Sequence, residues 1–105
     1  MAFNGTEGSP INPEIAGTWT RKYRSLHKGE NTGHFFGREI LLKLLQQPGA
    51  MGIRFYYGVD GENRRQLLAV AVGADQNDQI GSERIVADDS CACPPWVSIA
   101  NVLNS

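Results

Sequence analysis

The sequence predicts an α+β fold: two helices packed on one face of a small, mainly antiparallel β-sheet. Three observations carry this. Apolar residues recur at helical spacing behind Asn12-Pro13-Glu14. A second short helical pattern ends at Pro48-Gly49, and an alternating strand follows directly. An Asp60-Gly61 turn signal then divides that strand from a nearly continuous apolar run over residues 67–74.

The first helix is expected over residues 13–27. Asn12 can cap the free N–H groups, Pro13 suits the first helical position, and Glu14 complements the positive helix end. Ile15, Ala16, Trp19, Tyr23 and Leu26 form the expected buried stripe, with Arg21, Lys22 and Arg24 mainly on the wetter side. The polar, glycine-containing stretch 28–33 ends the helix.

The second helix is expected from residue 36 or 37 to 47, with Ile40, Leu41, Leu44 and Leu45 buried. Glu39 and Lys43 stand four apart in the favourable order. Pro48-Gly49 fits the middle of a type II turn, where proline presets φ and glycine accepts a positive one. Ile53, Phe55, Tyr57 and Val59 alternate with Arg54, Tyr56 and Gly58, the pattern of a half-buried strand. The link at Asp60-Gly61 is either a tight hairpin turn or a longer loop over 60–65. The 67–74 run is apolar at almost every position, so it reads as a central strand covered on both faces. Residues 73–82 form a polar turn, 84–87 a third strand beside the second, and 94–105 an irregular lid or a short strand.

At 105 residues, a single domain is expected over 12–105, preceded by a flexible arm over 1–11 that is rich in Gly, Ser, Asn and Pro. The composition, 41% hydrophobic and 20% charged, is that of an ordinary globular chain. A net charge of −1 argues against a general nucleic-acid binder, which needs a basic field. Two cysteines are too few for a disulfide scaffold. No stretch is long and apolar enough for a membrane span, and no basic run precedes an apolar one at the start, so a cytoplasmic location is expected.

Four pieces of the chain, in order, are similar to a family of small uncharacterised proteins of Bacteroidetes. They are Gly33-His34-Phe35-Phe36-Gly37-Arg38-Glu39, Gln47-Pro48-Gly49, Gly52-Ile53-Arg54-Phe55-Tyr56-Tyr57-Gly58 and Cys93-Pro94-Pro95. The resemblance spans roughly residues 19–95. After Pro95 the family has an aromatic and then a second cysteine, whereas this chain has Trp96-Val97-Ser98. The resemblance implies a bacterial chain of this fold and implies no activity.

Two constellations are candidate ligand-binding residues. His34, Arg38 and Glu39 stand at the start of the second helix, where free N–H groups and Arg38 could hold an anion and His34 could act as a base. Arg54 and Tyr56 share one strand face and could complete a pocket for a carboxylate or phosphate. The plainer reading has Arg54 paired with Glu39 or with an aspartate across the sheet. Cys91 and Cys93 are weak metal candidates, because a structural zinc site needs four ligands and no others stand at motif spacing. Asp75-Gln76-Asn77-Asp78 misses the calcium-loop spacing and reads as a turn. No cofactor is expected.

Two function classes follow. The leading expectation is a non-enzymatic binding or assembly protein that self-associates, because the apolar tail (Trp96, Val97, Ile99, Val102, Leu103) exceeds what one small core absorbs. The alternative is a small enzyme or anion-binding protein using His34, Arg38, Arg54 and Tyr56.

Overall fold

The computed structural model describes residues 2–105. Its elements are α1 (Pro13–Leu26), β1 (Gly33–Phe35), α2 (Arg38–Leu45), β2 (Ala50–Val59), β3 (Arg65–Gly73), β4 (Val86–Ala87) and β5 (Cys91–Cys93). The class is α+β, with antiparallel strands throughout. The chain divides into two compact units. One holds Phe36–Ser90 together with the N-terminal segment as far as Glu7. The other holds Gly8–Phe35 and Cys91–Ser105.

The first unit is a three-stranded sheet in the order β2-β3-β4, carrying α2 on one face. β3 is central, as its apolar run requires: Ala69, Val70, Ala71, Val72 and Gly73 are all buried. Period-two alternation puts Ala69 and Ala71 on the face of Ile53 and Phe55, their cross-strand partners. There Leu44 of α2, fully buried, meets Ala69, Ala71 and Ala87, with Phe36, Ile40, Ala50 and Ile53 around them. Small alanines on the sheet let the helix approach closely enough for one leucine to fill the gap.

The expected buried faces are only partly buried. Leu45 is exposed, and so are Phe55, Tyr57 and Val59 beyond the reach of α2. The reason is length: an eight-residue helix covers about 12 Å, whereas a ten-residue strand runs about 33 Å.

The turn chemistry follows the sequence closely. The Ala50 N–H donates to Gln47 O at 3.0 Å, and Gly49 takes φ +83° between them. The β2–β3 link is the longer of the two expected loops. Asp60 N–H donates to Arg64 O, Asn63 N–H donates to Asp60 O, and Asn63 takes a left-handed φ of 64°. The Asp60 carboxylate accepts from the backbone N–H of Glu62 and Arg64, from Arg64 Nε and from Gln66 Nε2, all within 3.0 Å.

The N–H of Arg64, then the amide of Gln66, hold the Asp60 carboxyl down at about 2, from an ordinary 3.8. A carboxyl whose folded pKa lies below its unfolded one contributes stability above the unfolded value. That contribution disappears as pH falls from 3.8 towards 2. Amide exchange at Glu62 and Arg64 is therefore expected to accelerate across that window. In an Asp60→Ala variant it should be fast already at neutral pH, and slow exchange there would refute the role.

Residues 2–7, expected as a loose arm, group with this unit. Phe3 N–H donates to Ala74 O at 3.0 Å, and the Glu7 carboxylate accepts from Asn4 and Gly5 N–H. The Asn4 N–H is the main reason the Glu7 carboxyl sits below its usual range.

The second unit is built from α1, the two-stranded β1–β5 sheet and the C-terminal tail. The start of α1 is as predicted: Asn12 Oδ1 accepts from Glu14 N–H at 2.8 Å, with Pro13 in the first turn. Its buried face is a correction. Ile15, Trp19 and Leu26 are exposed, and the one fully buried residue is Gly17. A Cβ on Gly17 would lie 2.4 Å from Val102 O, so the helix packs on the tail through a position with no side chain.

Arg24, expected on the wetter side, is half-buried. It donates to Leu103 O at 2.6 Å and to Ser105 O at 2.7 Å. The tail is irregular. Asn101 and Asn104 cross-brace it through their side-chain amides. β1 and β5 pair Gly33 with Cys93, His34 with Ala92 and Phe35 with Cys91, and no strand was expected at either place.

Candidate functional site

Arg54 and Tyr56 meet on one face of β2, and what joins them is Asp78. Alternation places both side chains on the sheet face opposite α2. The polar turn after β3 folds back, with Val72 and Asp78 bridged antiparallel and Gln79 N–H donating to Ala71 O at 2.8 Å. That places the Asp78 carboxylate over β2. Arg54 Nη1 donates to Asp78 Oδ1 and the Tyr56 hydroxyl to Oδ2, each at 2.5 Å. Arg54 Nη2 reaches Gln76 O at 3.2 Å, and the guanidinium carbon lies 5.8 Å from the ring centre of Phe3.

The electrostatics follow from the contacts. The Tyr56 hydroxyl, then the Arg54 guanidinium, hold the Asp78 carboxyl below its usual range. Asp78 in turn raises Arg54. The cluster is internally neutralised, so an anion bound at Arg54 would have to displace a carboxylate already held by two donors. This is the aspartate pairing foreseen for Arg54; Glu39 takes no part in it.

The other predicted residues lie elsewhere. Arg38 and Glu39 are exposed on the first turn of α2, which packs on the opposite sheet face from Arg54 and Tyr56. His34 belongs to the second unit, half-buried in β1 opposite Ala92. The predicted pocket is therefore not assembled within the first unit.

Cys91 and Cys93 are free thiols on β5, one exposed and one half-buried. Among the described residues, no three His, Cys, Asp or Glu groups come together as metal ligands, and no helix is long and apolar enough to cross a membrane.

Sequence reasoning missed Gln47 and Gln79. Gln47 Nε2 donates to Gln79 Oε1, and Gln79 Nε2 donates to Pro48 O, both at 3.0 Å. Gln47 Oε1 also accepts from Ile85 N–H at 3.0 Å. The buried Gln79 thereby ties the Pro48-Gly49 turn to the return loop. A glutamine in a polar turn carries no signal that it will be buried.

Each unit has a surface recess. One of about 510 Å³ lies beside Asp78, with Met51, Asp75 and Arg84 in its wall. The other, about 590 Å³ in the second unit, is lined by Arg24, His27, Lys28, Glu30 and Asn104. In the latter His27 Nδ1 lies 3.0 Å from Glu30 Oε2, and the His27 ring stacks on Tyr23. Thr32 and Ser98 also line the second recess; the Thr32 hydroxyl donates to Cys93 O and the Ser98 hydroxyl accepts from the Asn101 amide, each at 3.3 Å.

The apolar surface is more distinctive. In the first unit Phe55, Tyr57 (86% exposed) and Val59 (70%) continue the α2 face of the sheet into solvent. In the second, Ile15, Trp19 and Leu26 line one side of α1, and Trp96, Val97 and Ile99 stand out from the tail.

No protein-family model matches the chain, and no curated protein or solved structure matches it.

Proposed function

We propose that this protein is a non-enzymatic binding or assembly module that works by self-association. One observation carries the reading: the apolar side chains of β2 that alternation directs toward the helix layer stand largely in water past the end of α2. Contiguous apolar surface of this kind generally marks an interface. The charged cluster on the other face is consistent with the same reading, because Arg54, Tyr56 and Asp78 satisfy one another and an anion at Arg54 would have to displace that carboxylate.

The expected result is a concentration-dependent mass in sedimentation equilibrium, reaching a dimer or larger below roughly 100 µM, which corresponds to about −5.5 kcal/mol or better. A mass that stays at one chain throughout would refute it.

A further inference from the structure

We propose that the outer edge of β2 is the self-association surface, pairing antiparallel with β2 of a second copy in a register that sets Tyr56 opposite itself. The inference rests on the self-association reading and adds its surface, partner and register.

The three-stranded sheet has two very unequal edges. On one side β4 has two residues, a length that natural sheets use to blunt an edge. On the other, β2 has ten, without a proline among them. From Gly52 to Val59 its register with β3 is regular, so its outer edge is a straight run of main-chain groups.

The direction of those groups follows from the hairpin. Asp60 N–H donates to Arg64 O, so Asp60 and Arg64 form a hydrogen-bonded pair. Antiparallel pairs alternate, so Gly58, Tyr56 and Arg54 turn their main-chain groups toward β3. Ile53, Phe55, Tyr57 and Val59 then turn theirs outward. The far side of β3 agrees: Ala71, the partner of Ile53, directs its carbonyl away from β2 to Gln79 N–H. Each of the four outward residues offers both a donor and an acceptor, and none has a charged side chain to screen them.

The one charge on the strand does not guard it. Arg54 is drawn back over the sheet by Asp78 and by Gln76 O. A charge held in this way does not deter a second strand as a free edge lysine would.

A second β2 is a complementary partner. The antiparallel register that uses all four outward residues pairs Ile53 with Val59 and Phe55 with Tyr57 of the copy. On the α2 face this extends the exposed Phe55–Tyr57–Val59 surface into a cross-strand aromatic and aliphatic ladder. On the other face Arg54 falls opposite Gly58, which has no side chain, so the two guanidinium groups never face each other. Tyr56 meets its own copy on the two-fold axis, in a pair without main-chain hydrogen bonds. The product is a continuous six-stranded sheet with only short β4 edges left.

The test uses the full chain. Tyr57→Pro removes one outward N–H at an edge position where proline is tolerated, and Tyr57→Lys places a charge at the same point should the proline variant fail to fold. Either is expected to weaken the dimer at least about 30-fold in sedimentation equilibrium, with an unchanged far-ultraviolet spectrum. Tyr56→Cys, in a background with Cys91 and Cys93 changed to serine, is expected to oxidise to a covalent dimer. Non-hydrogen-bonded antiparallel pairs hold their Cα atoms about 4.5 Å apart, within disulfide range. Val59→Cys in that background, which faces Ile53, should not.

A wild-type dimer that the folded Tyr57 variants leave intact, with no Tyr56→Cys cross-link, would overturn the β2 edge and leave self-association standing on another surface. A wild type that is monomeric throughout would overturn both.

Discussion

Leu44→Ala is expected to lower the stability of the first unit by about 2–5 kcal/mol. Leu44 is fully buried and, among the described residues, is the only large side chain that is so. It faces Ala69, Ala71 and Ala87, which are too small to move into the space it would leave. Partial collapse would have to come from Ile40, Ile53 or Phe36 at the edge of the cluster, and the Phe36 ring is already engaged with Phe55 at 5.9 Å between centroids. Domains of this size are stable by only about 5–15 kcal/mol, so the change is a large share of the total. Both tryptophans, Trp19 and Trp96, lie in the other unit, so their fluorescence is a poor reporter. Amide exchange of β3 between Ala69 and Val72 is the right measurement. Protection there that matches wild type would show that the core does not depend on this side chain.

Gly17→Ala is the second, and its sign separates two kinds of reasoning. In the interior of an isolated helix, alanine is better than glycine by about 1 kcal/mol. On that ground alone the substitution stabilises α1. In the folded unit the new methyl group would lie 2.4 Å from Val102 O and 3.2 Å from Val102 C, both main-chain atoms that no rotamer change can move. Overpacking of this kind costs about 1–3 kcal/mol. The expected outcome is a net loss, with residues 101–105 released from α1 and the Arg24 hydrogen bonds to Leu103 O and Ser105 O broken. Trp19 and Trp96 fluorescence follows this unit directly. Faster exchange of the Leu103 and Ser105 amides would locate the effect in the tail. A more stable variant with a protected tail would mean that helix propensity outweighs the contact.

Much of the local structure was legible in the sequence because local chemistry decides it. The start of α1 follows from Asn12-Pro13-Glu14, since capping and a preset φ act within one turn. The turn at Pro48-Gly49 and the central position of β3 follow from a positive-φ glycine and from an apolar run with no polar face. β1 and β5 were illegible because three residues hold too little pattern to distinguish a strand from a loop.

The candidate site was legible only in part. That Arg54 and Tyr56 share a face follows from their spacing, and the possibility of an aspartate partner from charge. That the partner is Asp78, and that Gln79 beside it is buried, depends on how the return loop crosses the sheet. His34 belongs to the second unit, and within the first strand alternation sets Arg54 on the sheet face away from α2 and Arg38.

The sequence by itself determined the α+β class, the start of α1, the Pro48-Gly49 turn and which strand is central, because each rests on a residue's own φ preference, cap or periodicity. The tertiary structure alone decided which apolar faces are covered. A helical stripe predicts that residues lie together on one side; it does not say that anything lies against them. Gly17 turns α1 onto the tail and leaves Ile15, Trp19 and Leu26 outside. The eight residues of α2 end before the ten of β2 are covered, and the uncovered strand is left with an open edge.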